Sequence, residues 1–229
     1  MASIYGDAQE CHYFAQLRIW QLDLVREIHL FTQLFWLEDS FVQLSKERFL
    51  QKIEKVKITV RAGDWWWNER WNERNAPLIL NPYRGDGTRP PVLEDIQASS
   101  PIPGRDQGWG YAFRNLKGLK ELELELESTE DKLEELRRVA GKAKTWKFPM
   151  DGEMYLSAKG LETKTSEWRS PQICWAAICP YCGRRGCPGA PGGFNRSLDE
   201  RCVRKVDLKT HGLGLICKVI SLRYKLAKA

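Results

Sequence analysis

The hydrophobic positions of this chain fall into one recurring spacing. Leu116, Leu119, Leu122, Leu124 and Leu126 follow L-x-x-L-x-x-L-x-L-x-L, and Leu50, Ile53, Val56, Ile58 and Val60 repeat it. Leu22, Val25, Ile28 and Leu30 fill four of the five positions, with Thr32 in the last. Ile216, Val219, Leu222, Tyr224 and Leu226 give a weaker fourth copy. The closing residues of each copy alternate with period two, the pattern of a strand with one buried face. Its outward positions are Lys57, Thr59 and Arg61 in the second copy and Glu121, Glu123, Glu125 and Glu127 in the third. The leading L-x-x-L carries the chain up to the strand and buries a residue beneath it, which is the core of a leucine-rich repeat. Twenty-eight residues separate the first two copies and 66 the next two, so the array is interrupted. The asparagine that usually follows in such repeats is absent. The pattern predicts an α/β fold of degenerate leucine-rich-repeat-like strand–helix units with a mostly parallel sheet. Any amphipathic strand preceded by a helix would give the same spacing, and that is the competing reading.

Between the repeats the elements are signalled locally. Ser128 followed by Asp131 fits a helix start, with a hydroxyl cap and an acidic first turn. Leu133, Leu136, Val139, Ala140, Ala143 and Trp146 then share one helical face, and Pro149 stops the helical region. From Ser45 to Glu54 the apolar Phe49, Leu50 and Ile53 lie on one side, with Lys46 and Glu47 outside. Strand–helix–strand order favours parallel pairing. The stretch 63–110 reads as a long insertion rich in Pro, Gly, Asn and Trp, whose parts 84–91 and 98–108 have few apolar anchors. A second Gly/Pro-rich loop spans 183–196. The expected plan is a repeat-like body over 1–170, carrying the insertion, and a Cys-rich loop with a C-terminal strand or helix over 171–229 packed on the same body.

Composition narrows the classes. A chain of 229 residues that is 42% hydrophobic and 29% charged has enough apolar material for a core. The net charge of +6, from 36 basic and 30 acidic residues, is spread along the chain, and no dense basic stripe of a dedicated nucleic-acid binder is present. The first ten residues lack a basic stretch followed by an apolar one, so no export signal is read. The apolar segment 28–37 is too short to span a bilayer. A cytoplasmic or nuclear compartment follows, with no membrane partner, and the seven cysteines are then expected as thiols or metal ligands.

The cysteines carry the strongest candidate chemistry. Cys179-Pro180-Tyr181-Cys182-Gly183 has the form of a zinc knuckle, in which a tight turn aims two thiolates at one metal. Cys174 precedes and Cys187 follows at C-x4-C spacing, with Cys202 and His211 further on. Cys179, Cys182 and two of Cys174, Cys187, Cys202 and His211 could complete a tetrahedral structural zinc site. Arg184 and Arg185 would help depress the thiol pKa values. A zinc ribbon normally has a second C-x-x-C, which this chain lacks, so a loop of free thiols is the alternative.

The second candidate is aromatic. Gly63-Asp64-Trp65-Trp66-Trp67 runs into the tandem repeat Trp67-Asn68-Glu69-Arg70 and Trp71-Asn72-Glu73-Arg74. On a helix Trp67 and Trp71 would share one face, and Arg70 and Arg74 would form a second stripe. Trp and Arg are the residues that anchor protein interfaces. They also stack on bases, but Glu69 and Glu73 would repel phosphate. Trp65 and Trp66 are expected in the core.

No G-x-S-x-G, phosphate-binding loop, G-x-G-x-x-G or H-E-x-x-H occurs, and the chain is read as a non-enzyme. His29, in a strand, is expected to be satisfied there. The stretches 61–66, 116–127 and 143–149, with Glu167-Trp168 and the later Cys-Pro-Tyr-Cys, resemble an uncharacterised protein family of filamentous ascomycete fungi. The likeness covers about residues 20–185. Some of that group look like F-box-type proteins with degenerate leucine-rich repeats, although no F-box helices stand before the first strand here. The resemblance implies the architecture and brings no catalytic residues. The function expected is that of a protein-interaction or scaffold protein, bound through Trp67, Arg70, Trp71 and Arg74. The alternatives are a zinc-stabilised module that binds nucleic acid or protein, and an enzyme of unrecognised class.

Overall fold

The computed structural model describes residues 2–5, 18–62, 64–65, 77–85, 91–101, 107–169 and 216–228. The repeated spacing does form strands. The first three copies give β2 (Glu27–Phe31), β3 (Lys55–Val60) and β4 (Glu121–Thr129); with β1 (Ala2–Tyr5), which lies outside the copies, they pair in parallel in chain order. The register places like on like: Ile28 beside Val56 beside Leu122, and Leu30 beside Ile58 beside Leu124. All six are buried. Below each strand the leading L-x-x-L makes the same turn. Val25 N–H donates to Leu22, Ile53 to Leu50 and Leu119 to Leu116. The turns also bond to one another at equivalent positions, Glu54 N–H to Arg26 and Lys120 N–H to Glu54. At the tightest of these approaches a Cβ on Gly118 would lie 2.9 Å from the Gln51 carbonyl oxygen, so the turn needs glycine there.

The rest of the sheet is antiparallel, and the expectation of a mostly parallel sheet is corrected. β5 (Lys147–Pro149), β6 (Met154–Ser157), β7 (Lys164–Arg169) and β8 (Ile216–Lys228) complete a mixed sheet of order β1-β2-β3-β4-β8-β6-β5, with β7 on β8 as well. Three neighbouring pairs are parallel and four antiparallel. The reason lies in the fourth apolar copy. It forms no turn followed by a strand; it lies wholly within the 13-residue strand β8, which runs against β4 from Cys217 to Lys225. In a strand a spacing of three crosses the sheet, so Val219 points to the face opposite Leu222 and Tyr224.

Among the described residues five short α-helices lie between the strands: α1 (Ile19–Leu22), α2 (Leu34–Glu38), α3 (Ser40–Leu44), α4 (Leu93–Gln97) and α5 (Leu133–Ala143). The segment before β3 is a 3₁₀ turn over Arg48–Lys52. α5 packs on β4 and β8 through Leu136, Val139, Ala140 and Ala143, as the helical face predicts. Ser128 is not its cap; it lies buried inside β4, which runs on to Thr129. Pro149 likewise lies in β5, after the helix has ended.

The insertion, 63–110, falls between β3 and β4. Its described parts are built into the core: Leu78, Ile79, Leu80, Tyr83, Ile96 and Trp109 are buried. Leucine at 78 is tied by its N–H to Glu135 on α5 at 2.8 Å. Tyr83 Oη both donates to the Lys147 carbonyl at 2.7 Å and accepts the Lys147 N–H at 2.9 Å. Arg84, buried, pairs with Glu38 of α2. The 3₁₀ turn Trp109–Asn115 brings Trp109 and Phe113 against Phe148 at 5.8 and 5.1 Å between ring centres. Phe148 in turn meets Tyr224 of β8 at 5.0 Å. The insertion and the C-terminal strand therefore share one aromatic core. Among the described residues no helix is long and apolar enough to cross a membrane.

Candidate functional site

α5 packs on one face of the sheet; the other face carries the charges that the alternation set outward. In register, Lys55 stands beside Glu121, Lys57 beside Glu123 and Thr59 beside Glu125. Lys55 reaches Glu121 at 3.0 Å and Glu123 at 3.5 Å, and Lys57 reaches Glu123 at 3.4 Å and Glu125 at 2.7 Å. Arg223 on β8 lies 3.5 Å from Glu121. The pairing is felt in the protonation equilibria. The hydrogen bond to Glu121 holds the Lys55 ammonium above its ordinary value. Burial alone would raise Glu123, but the Lys57 ammonium beside it holds it below the usual carboxylate range. Lys55, Lys57 and Arg223 are each held by glutamates on this face, while Lys225, beside Glu121 in register, is exposed.

A hydrogen-bonded row crosses this face. Thr59 Oγ1 donates to Glu125 Oε2 at 2.9 Å, and His29 Nε2 lies 2.8 Å from the same hydroxyl oxygen. Because the hydroxyl proton is committed to Glu125, the oxygen can only accept from His29, which places the imidazole proton on Nε2. Burial and then the Lys57 charge push the His29 pKa below its ordinary value, against the pull of Glu125 and Glu123. His29 is thus a satisfied strand residue, as expected from its position.

Glu127, two residues beyond Glu125, has a different environment. It is 8% exposed. Its Oε1 accepts the Ala62 N–H at 3.1 Å and its Oε2 accepts the Trp168 indole N–H at 2.9 Å. Its own carbonyl accepts the Trp65 indole N–H at 2.6 Å. No lysine, arginine or histidine forms an ion pair with it among the described residues. Beside it, Arg61 holds Asp64 at 2.6 Å, and burial raises the Asp64 pKa against that pairing. Cys217, buried across from Thr129 and Trp168, has its thiol pushed up to about 11 by burial and by the Glu127 charge. At that value it is a protonated, unreactive thiol.

The place of Glu127 in the topology gives this cluster its interest. It lies at the end of the sheet where the parallel strands finish. Trp65 is the last described residue before 66–76, and Arg169 and Ile216, paired across β7 and β8, bracket 170–215. The roots of both sequence-predicted segments therefore meet at one residue. Trp67, Arg70, Trp71 and Arg74 themselves lie outside the described residues, as do Trp66, Cys174, Cys179, Cys182, Cys187, Cys202 and His211. Trp65 is half-buried and packed on the core, in keeping with its expected place. Among the described residues no group of three or more His, Cys, Asp and Glu side chains is arranged to hold a metal ion. The sequence reading missed Glu127 because it is the last of four alternating glutamates, and nothing local distinguishes it. The only available hint was Trp168, alone and apolar in an otherwise polar stretch.

Comparison of the chain with protein-family models, with curated proteins and with solved structures returned no match.

Proposed function

We propose that this chain is a protein-interaction or scaffold protein whose partner docks at the end of the sheet around Glu127. The observation that carries the reading is the convergence there of Ala62, Trp65 and Trp168 on a single buried residue. A rigid core that presents two long segments from one end is the usual way a scaffold positions binding loops. Trp67, Arg70, Trp71 and Arg74 are the contact residues of this reading, being of the types that dominate interface energetics. Within the α/β class, the parallel half is taken as a degenerate leucine-rich-repeat-like array. The three equivalent turns and the bonds between them support this assignment. Stacked repeats of this kind offer extended surfaces to partners. No catalytic role is assigned, and a cytoplasmic or nuclear setting belongs to the same reading.

The test is affinity capture from cell extract with the full chain, run beside a variant with Trp67, Arg70, Trp71 and Arg74 all changed to alanine. A second control carries Arg137→Ala and Glu134→Ala on the exposed side of α5. A protein captured by the wild type and the α5 control but lost in the four-residue variant is the expected result. Equal capture by all three would overturn the assignment of those residues.

A second reading, a zinc-stabilised module, is favoured by one observation. The 46 residues of 170–215 begin and end at the paired Arg169 and Ile216. Closing so long a chord costs entropy, and a structural metal within it would offset that cost. Cys179 and Cys182 with two of Cys174, Cys187, Cys202 and His211 would be the ligands. About one zinc per chain, protecting those thiols from alkylation, is expected of this reading. Metal-free protein with freely titrating thiols at these positions would end it. Nucleic acid as the partner draws little support from the charged face, where Lys55, Lys57 and Arg223 are held by glutamates.

A further inference from the structure

Glu127 presents an electrostatic imbalance that the rest of the sheet avoids. Glu121, Glu123 and Glu125 each face a lysine within 3.5 Å. Glu127 is 8% exposed and, among the described residues, its carboxylate is met by neutral donors, the Ala62 amide and the Trp168 indole. Such donors stabilise a carboxylate in place but leave its charge uncompensated, and a buried charge acts over a longer range than one in water. Trp168, by contrast, is 43% exposed. Its indole N–H is pinned to the carboxylate while the residue as a whole stays partly open to solvent. A second indole, Trp65, is held to the carbonyl of the same residue. An electron-rich ring fixed beside an unpaired negative charge is the combination that attracts cations.

We propose that Glu127, Trp168 and Trp65 form a recognition site for a cationic side chain, an arginine or lysine, presented by the partner protein. The proposal rests on the interaction reading above and supplies the chemistry of the partner. The cation lies over the Trp168 ring and draws on the Glu127 charge behind it. Among the described residues, Arg61 holds Asp64, and Lys218 is bound by Glu130 and Glu167. The chain as a whole carries +6, which opposes unspecific attraction of a basic ligand and makes a positive result informative.

The experiment is fluorescence anisotropy of the full chain titrated with labelled penta-arginine, penta-lysine and penta-citrulline at physiological salt. Citrulline has the shape of arginine without its charge. The wild type is expected to bind one or both basic peptides and to bind penta-citrulline at least tenfold more weakly. Trp168→Ala is expected to lose about threefold to thirtyfold in affinity, the range of a cation–aromatic contact, and Trp168→Phe to lose less. Glu127→Gln is expected to weaken binding as well; since it also disturbs the tie to Ala62, Trp168→Ala at the exposed surface serves as the independent variant. No binding of either basic peptide, equal binding of penta-citrulline, or unchanged affinity in Trp168→Ala would each overturn the site. If the alanine variant at Trp67, Arg70, Trp71 and Arg74 loses its captured protein while Trp168→Ala keeps it, the interaction reading stands and this inference alone fails.

Discussion

Glu125 and Glu127 point the same way from one strand, yet one is held by Lys57 and Thr59 and the other by an amide and an indole. Neighbours in register, not local sequence, decide what each does. The same holds for His29. Its place in a strand was legible from alternation, but its tautomer depends on Thr59, thirty residues away, and on Glu125. A histidine whose folded pKa lies below its unfolded value binds fewer protons when folded. The stability it contributes is complete above the ordinary value of 6.5 and is lost as pH falls from there towards the folded value. Urea unfolding between pH 7.5 and 5 should show this decline, and His29→Gln should flatten it; an unchanged slope in the variant would contradict the assignment. Gly118 makes a second prediction at this scale. Gly118→Ala places a methyl group 2.9 Å from the Gln51 carbonyl oxygen and 3.0 Å from that of Ile53, so a loss of about 1–3 kcal/mol is expected in denaturant unfolding.

At the scale of elements, the three copies of the apolar spacing were legible because each combines a tight turn with a period-two strand, and both parts are local. β8 was not, because a strand buried on both faces at Val219 and Ile220 obscures its own period. The insertion's place in the core was not read from the sequence, for a related reason. Its anchors are few and far apart in sequence: Leu78–Leu80, Tyr83, Ile96 and Trp109. Polar ties help to fix them, and these are invisible without the fold. The Arg84–Glu38 pair is the clearest case, with side chains 3% and 8% exposed. Glu38→Gln removes the Glu38 charge from beside the buried guanidinium and is expected to cost about 3–5 kcal/mol. A loss below about 1 kcal/mol would show that the insertion is held mainly by its apolar contacts. Tyr224→Phe removes a 2.8 Å bond from the phenol to the Ala143 carbonyl and should cost about 1–2 kcal/mol, read in the same assay.

Taken whole, the molecule is a parallel ladder from the first half of the chain joined to antiparallel strands from the second, and β8 makes the join. It pairs with β4 on one side and with β6 and β7 on the other, and it contributes Ile220, Leu222 and Tyr224 to the core. A chain ending at residue 215 is expected to lose cooperative unfolding, because β4, β6 and β7 would all lose their shared neighbour; a retained cooperative transition would mean that the ladder folds on its own. The same join brings the roots of 66–76 and 170–215 to one end of the sheet, and the functional account rests on that convergence. Its most direct test is hydrogen exchange of the full chain with and without its captured protein partner. The account predicts added protection at 61–65, 127–129, 165–168 and 216–218, at the Glu127 end. Protection confined to α5, or to the opposite end of the sheet at Glu27, Lys55 and Glu121, would contradict it.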